Sequence, residues 1–170
     1  TLLFLPPVAQ ADAVQARQWE LNADKLTRHE TPPTIIAEGN VILKKQEPAT
    51  TIKADTVSYD IANSVLTVTG NVLIDVGTDR LVADSGTIDL EKATGTFHNA
   101  TVVRQDKEIH FEGRVIEKTG ALTYHIADGW VITCKLEPGQ TPPWSFAAAD
   151  VDITDGGYAW LTHATFRILD

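Results

Sequence analysis

Apolar and polar residues alternate with a period of two along most of this chain. The alternation is clearest in residues 57–61, 66–68, 109–111, 122–126 and 151–153. A period of two with one apolar face is typical of an antiparallel strand that has the core on one side and solvent on the other. The pattern therefore predicts strands at these positions and supports no helix longer than two turns.

Clusters of turn-forming residues separate the alternating runs. They occur at residues 62–64, 118–120 and 155–157, and residues 136–143 form a proline-rich loop. The strand pattern resumes at Trp144, so this loop does not divide the chain into two domains. About a dozen short strands in one repetitive run predict a single all-β domain, built as a sandwich, a jelly roll or a solenoid.

Two short words recur along the chain. Ala-Asp, followed by a second Asp five residues after the first, occurs in residues 54–60, 83–89 and 149–155. Gly-Asn-Val, followed by aliphatic residues, begins at Gly39 and again at Gly70, which is 31 residues later. Repetition at this interval in a strand-rich chain predicts stacked hairpins that bury their apolar faces against one another.

The spacing of the paired aspartates argues against acid–base dyads. Asp55 and Asp60 are an odd number of residues apart, so within one strand they point to opposite faces. We expect the first Asp to cap a strand or turn and the second to open the next turn. Residues 150–155 resemble a calcium loop, but Thr154 and Asp155 stand where that loop needs its third ligand and its glycine.

Composition narrows the functional class. The 170 residues are 43% hydrophobic and carry a formal net charge of −9, which favours one sizeable core and predicts no nucleic-acid partner. The five histidines are scattered singly, and no nucleotide-binding loop, nucleophile elbow or zinc-protease motif occurs. We therefore predict no catalytic residue, no metal site and no cofactor.

Residues 1–13 differ from the rest of the chain. Residues 2–5 form a short apolar run, and Ala11 and Ala13 provide small residues suited to cleavage. We interpret the segment as the remnant of a secretory signal peptide, with a disordered apolar tail as the alternative. The folded domain is then expected at residues 14–170.

Cys134 is the single cysteine of the chain. In an exported protein such a thiol favours pairing with a cysteine outside this segment. A small buried hydrophobic residue is the alternative.

Several words of this sequence resemble the OstA-like repeat of periplasmic lipopolysaccharide-transport proteins. The words are Ala23-Asp24, Glu38-Gly39-Asn40-Val41, Ala54-Asp55, Thr69-Gly70-Asn71-Val72 and Leu81-Val82-Ala83-Asp84. A later stretch is similar to the segment that precedes the barrel in outer-membrane lipopolysaccharide-assembly proteins. Its words are Thr133-Cys134, Pro143-Trp144, Ala148-Ala149-Asp150 and His163-Ala164-Thr165-Phe166.

The resemblance implies a fold of two antiparallel sheets, bent into a twisted, V-shaped β-jelly roll that is open on one side. It implies a periplasmic domain at the outer membrane of a Gram-negative-type cell that performs no covalent chemistry. The domain would receive lipopolysaccharide from a periplasmic bridge protein attached by edge-strand addition. It would pass the acyl chains along an apolar groove to a C-terminal outer-membrane β-barrel with its plug lipoprotein.

The same resemblance implies a disulfide from Cys134 to the barrel. A second cysteine, often present near the mature N-terminus of such proteins, is absent from residues 14–20. A single bridge is therefore expected rather than two.

One alternating face should line the groove. The candidate lipid-contacting residues are Val41, Leu43, Val57, Tyr59, Leu66, Val68, Val72, Ile74, Ile88, Phe97, Phe111, Leu122, Tyr124, Trp144, Phe146 and Ile153. For each of them, ordinary core packing is the alternative to lipid contact.

Two other functions fit parts of the pattern. A soluble bridge or shuttle protein of the same family would carry the same repeat, although it would normally need neither Cys134 nor the Pro-Pro-Trp stretch. A β-solenoid carbohydrate-active enzyme would need two carboxylates that face each other on neighbouring strands.

Overall fold

A computed structural model describes residues 19–105, 109–132 and 143–168 of this chain. All the regular elements in these ranges are strands, which confirms the all-β prediction. They are β1 (Trp19–Asn22), β2 (Lys25–Glu30), β3 (Pro33–Lys45), β4 (Thr50–Asp60), β5 (Val65–Val76), β6 (Asp79–Asp89), β7 (Thr94–Arg104), β8 (Ile109–Lys118), β9 (Thr123–Ile132), β10 (Trp144–Thr154), β11 (Ala159–Thr162) and β12 (Thr165–Ile168).

The strands form one antiparallel sheet in which β3 to β10 pair in the order of the chain. Strands β1 and β2 both pair with β3, so they are the two halves of one interrupted strand. Strands β11 and β12 likewise both pair with β10. The sheet does not close into a barrel, because these two interrupted strands lie at its opposite edges.

The strands bend along a common row near their midpoints. The pairing register shifts between Glu38 and Val41 in β3, and equivalent shifts occur in the next two strand pairs. Gly39 and Asn40 have positive φ values of 77° and 45° at the first of these positions. Such bulges bend a strand and increase its twist. We call this row of bends the corner.

The corner divides the sheet into two arms that face each other. The first arm is made of residues 19–22, 41–45, 50–54, 72–76, 79–83, 100–104, 109–113, 129–132, 144–148 and 165–168. The second arm is made of residues 25–30, 33–38, 56–60, 65–69, 85–89, 94–98, 115–118, 123–127, 150–154 and 159–162. This is the predicted V-shaped jelly roll, in which continuous backbone joins the two arms at the corner and no strand joins the described residues of the two arms on the side of the hairpin turns.

Hydrogen bonds between side chains hold adjacent bends in line along the corner. The Nδ2 atom of Asn71 donates to Oδ2 of Asp55 at 2.8 Å, and Asn99 donates to Asp84 at 2.7 Å. The amide of Asn40 makes the same bond to Asp24 at 2.8 Å. At Asp24 and Asp55 the partner is the Asn of a Gly-Asn word, so the Ala-Asp and Gly-Asn words meet in space there, whereas Asp84 is bonded to an Asn that follows a His.

These contacts correct one prediction for the first Asp of each pair. Asp55 and Asp84 lie within strands at the corner and cap neither a strand nor a turn. The prediction for the second Asp is confirmed, because Oδ1 of Asp60 accepts hydrogen bonds from the backbone N–H groups of Ala62 and Asn63. The first Asp was misassigned because its partner, an Asn, is supplied by another strand.

Replacing Gly70 by Ala should destabilise the fold more than replacing Gly77 by Ala. Both glycines have positive φ, so each Ala carries a backbone strain of about 1–2 kcal/mol. A Cβ atom at Gly70 would also collide with the carboxylate of Asp55, whereas one at Gly77 would meet nothing within 4 Å. We expect Gly70→Ala to cost about 1–3 kcal/mol more, by analogy with overpacking. Urea titration of both variants measures the difference, and equal losses would contradict the proposed role of the corner.

Candidate functional site

The facing sides of the two arms form a continuous apolar interior. Across the first arm, the pairing register aligns Leu43, Ile52, Ile74, Val102 and Phe111 in one row, and all five are buried. The row exists because period-two alternation places every second residue on the same face of its strand.

A matching row crosses the second arm. It contains Ala37, Val57, Val68, Phe97, Ile116, Ile126 and Val151, and all of these residues are buried. The inner faces of the two arms pack toward each other, since the ring of Phe111 in the first arm lies 5.7 Å from that of Tyr124, two residues before Ile126 in the second arm. In this arrangement the arms fill the interior with their own side chains.

Most of the predicted groove residues lie on these inner faces. Nine are buried: Val41, Leu43, Val57, Leu66, Val68, Val72, Ile74, Phe97 and Phe111. Five are partly buried: Tyr59, Ile88, Tyr124, Trp144 and Ile153. Burial places these side chains in the interior, and their contact with lipid stays a prediction.

Leu122 and Phe146 are placed differently. Leu122 lies in the turn before β9, which begins at Thr123, and its side chain is 54% exposed. The apolar alternation in residues 122–126 runs one position beyond the strand, so Leu122 does not line the interior. Phe146 pairs with Phe166, and their ring centroids lie 4.8 Å apart, but Phe146 is 36% exposed because it lies near the last edge of the sheet.

Several interior residues were absent from the predicted set. Ile52, Val102, Ile116, Ile126 and Val151 are all buried. The same alternation could have identified them, since Ile126 follows Tyr124 by two residues and Val151 precedes Ile153 by two. The period-two pattern therefore predicts a larger interior set than the candidate residues given above.

Three charged side chains meet at the edge of the interior. Nε of Arg104 donates to Oδ2 of Asp79 at 2.8 Å, and Nη1 of Arg104 donates to Oδ2 of Asp155 at 2.7 Å. The side chain of Arg104 is 14% exposed and that of Asp155 is 6% exposed. Arg104 lies two residues after Val102 in β7, so its side chain projects from the same inner face of the first arm.

Burial and neighbouring charges shift the pKa values of this cluster. Burial lowers the pKa of Arg104, but the hydrogen bond to Asp155 and the charge of Asp79 outweigh it, so the guanidinium pKa lies above its ordinary value. Burial raises the pKa of the Tyr124 phenol. Burial and the positive charge of Arg104 lower the pKa of Lys118, whose Nζ lies 5.9 Å from the Tyr124 ring centroid. Arg104 is therefore a permanent cation, and Tyr124 is neutral at physiological pH.

The described residues contain no group of three or more His, Cys, Asp and Glu side chains that could hold a metal ion. Both carboxylates at the interior edge accept hydrogen bonds from one guanidinium, which makes them members of a salt bridge rather than a facing acid–base pair. Within the same ranges, no helix has the length and hydropathy needed to cross a bilayer. Cys134 and residues 1–13 lie outside the described residues.

Comparison with known proteins identifies the relatives of this chain. Residues 51–121 match the family described as LptA/(LptD N-terminal domain) LPS transport protein. The LPS-assembly protein LptD of Aliivibrio fischeri is 27% identical over 168 residues, which cover 97% of this chain and 19% of that protein. The LPS-assembly protein LptD of Nitrosococcus oceani is 26% identical over 120 residues, which cover 70% of this chain and 16% of that protein.

These matches confirm the resemblance to the OstA-like lipopolysaccharide-transport family. The matched segment 51–121 contains nearly all of β4 through to the end of β8, and therefore most of the central strands of both arms. The chain spans less than a fifth of the length of the curated relatives it matches. Both relatives are LPS-assembly proteins, which confirms the prediction of a non-enzymatic role and gives the carbohydrate-enzyme alternative no support.

The two leucines Leu66 and Leu122 should respond very differently to truncation. Leu66 is 1% exposed in the interior, so Leu66→Ala should lower the free energy of unfolding by about 2–5 kcal/mol. Leu122 is 54% exposed in a turn, so Leu122→Ala should change it by no more than about 0.5 kcal/mol. Chemical denaturation followed by circular dichroism tests both variants. A loss of several kcal/mol in the free energy of unfolding of Leu122→Ala would contradict the placement of Leu122 outside the interior.

Proposed function

We propose that this chain is the periplasmic domain of an LptD-like translocon, because residues 51–121 match a lipopolysaccharide-transport family. The domain receives lipopolysaccharide from the periplasmic bridge and passes its acyl chains along the apolar interior to an outer-membrane barrel. Sugars and phosphates remain outside the interior in water. The chain acts at the periplasmic face of the outer membrane.

The observation that carries this proposal is the apolar interior between two arms joined by backbone at one margin only. Acyl chains need such an environment, since exposing each CH₂ group to water costs about 0.8 kcal/mol. The charged side chains of Arg104 and Lys118 lie at the ends of strands, where the interior ends. The two buried rows contain apolar residues. The arrangement therefore suits an amphiphile whose tails enter and whose head stays out.

The two edges of the sheet support the proposed partners. Strands β1 and β2 form one edge and β11 and β12 form the other, and each edge leaves backbone N–H and C=O groups available for pairing. An LptA-like bridge protein adds its terminal strand to the first edge. The C-terminal barrel and its plug lipoprotein then lie beyond the second edge, which places the interior between donor and acceptor.

A soluble LptA-like bridge or shuttle protein is the alternative. The matched family includes LptA as well as the N-terminal domain of LptD. The alignment with the LptD of Aliivibrio fischeri extends over 97% of this chain, which favours the translocon. The disulfide from Cys134 to the barrel and the signal-peptide remnant at residues 1–13 belong to the same proposal.

Photocrosslinking to lipopolysaccharide tests the proposal. A photoreactive phenylalanine placed at Phe111, Tyr124 or Tyr59 should form lipopolysaccharide adducts in cells, because these aromatic residues lie on the inner faces. Thr67 and Val82 provide matched outward positions, since both are exposed on the opposite faces of their strands.

The adducts should be detected with an antibody to lipopolysaccharide after affinity purification. Strong adducts from the inner positions and weak ones from the outward positions are the expected result. No adduct from any inner position, with the variant proteins folded and exported, would refute lipid transport through the interior.

A further inference from the structure

The two margins of the interior are closed in different ways. At the corner the backbone passes continuously from one arm to the other. The opposite margin is formed by the outer ends of the two arms, where the first arm ends in turns such as residues 77–78 and the second arm in turns such as residues 119–122. We call this the hairpin margin. Only non-covalent contacts of the described residues hold it closed.

The hydrogen-bonded ion pair between Arg104 and Asp155 crosses the hairpin margin. Arg104 ends β7 in the first arm, whereas Asp155 follows β10 in the second arm. The two residues are 51 positions apart in the chain, and their side chains meet at 2.7 Å.

Each partner of this ion pair is fixed within its own arm. Arg104 pairs with Asp79 through the strand register and through a second hydrogen bond of 2.8 Å. The backbone N–H of Asp155 donates to the carbonyl of Leu122 at 2.7 Å, which holds it against the neighbouring turn. Movement of one arm away from the other therefore separates Arg104 from Asp155.

The ion pair between Arg80 and Asp75, in contrast, stays within one arm. Arg80 and Asp75 lie on the same hairpin of the first arm, with side chains that are 54% and 32% exposed. The side chains of Arg104 and Asp155 are 14% and 6% exposed, so solvent screens their attraction much less. A bond between buried charges of this kind is costly to break, because the two charges are separated before water can replace the lost contact.

The crossing ion pair lies next to the aromatic contact between the arms, in which the rings of Phe111 and Tyr124 are 5.7 Å apart. Phe111 pairs with Val102, two residues before Arg104, and Tyr124 pairs with Ile153, two residues before Asp155. The strand register therefore places the ion pair one step beyond the two rings, toward the hairpin margin. An apolar chain that enters the interior beside these rings would have to separate Phe111 from Tyr124 and Arg104 from Asp155.

We propose that Arg104 and Asp155 form a clasp that holds the arms closed at the hairpin margin and must open before an apolar chain can occupy the interior between β7 and β10. The identity of that apolar chain as the acyl chain of lipopolysaccharide rests on the proposed function. The opening of the arms is a property of this chain alone and can be measured without lipid.

Distance measurement between spin labels tests the clasp directly. Labels at Thr78→Cys in the first arm and Ala121→Cys in the second lie on exposed turns at the hairpin margin, with Cys134 replaced by Ser. Asp155→Asn removes the charge with little change in shape and should shift the distance distribution to longer values and broaden it. Asp75→Asn is the matched control, because it breaks an ion pair within one arm, and it should leave the distribution unchanged.

A second variant covers the case in which Asp155→Asn does not fold. Arg104→Lys keeps the positive charge but cannot bind Asp79 and Asp155 through two separate nitrogens. It should shift the distribution in the same direction. Wild-type distances in every folded variant, judged by circular dichroism, would overturn the clasp.

Lipopolysaccharide crosslinking from Phe111 separates the clasp from the proposed function. If both hold, Asp155→Asn should raise the adduct yield several-fold over the wild type, whereas Asp75→Asn should not. Arms that open without adducts from any inner position would support the clasp and refute lipid transport. Adducts that form while the distances stay unchanged in the variants would support transport and refute the clasp.

Discussion

The bend near the middle of the strands is the constraint on which the rest of the structure depends. A flat antiparallel sheet with this alternation would bury nothing, because its apolar residues would all line one open face. The bend folds that face onto itself, so that Val68 and Ile126 become fully buried. Residues that tolerate positive φ, such as Gly70 and Asn71, make the bend possible, and bonds between Asp and Asn side chains align one bend with the next.

The bend also makes the two margins unequal. The corner cannot open without disrupting strands, whereas the hairpin margin separates when side chains part. Stability and access therefore compete at the same contacts, because the apolar pairs that stabilise the closed form fill the space that a ligand would occupy. A ligand with long apolar chains can replace those pairs with its own, and its binding then offsets the cost of parting the arms.

Local pattern was sufficient for the strands and for most of the interior face. Val57, Leu66 and Phe111 were predicted from alternation alone, since burial on one face of a strand leaves that signature in the sequence. Leu122 was misplaced because an apolar residue can continue the alternation past the end of its strand. The role of Asp55 and the pairing of Arg104 with Asp155 could not be read locally, because each depends on a residue that only folding brings opposite.

The side-chain bonds of the corner join the strands two at a time. Asp24 is bonded to Asn40 at the bend of β3, Asp55 on β4 to Asn71 on β5, and Asp84 on β6 to Asn99 on β7, with no bond of this set linking one pair to the next. The unit that can be added or removed without disturbing this order is one complete hairpin. Because adjacent strands lie about 4.8 Å apart, each such unit would lengthen the interior by about 10 Å. Proteins built on this corner would thus differ in reach by discrete steps, whatever the length of their loops.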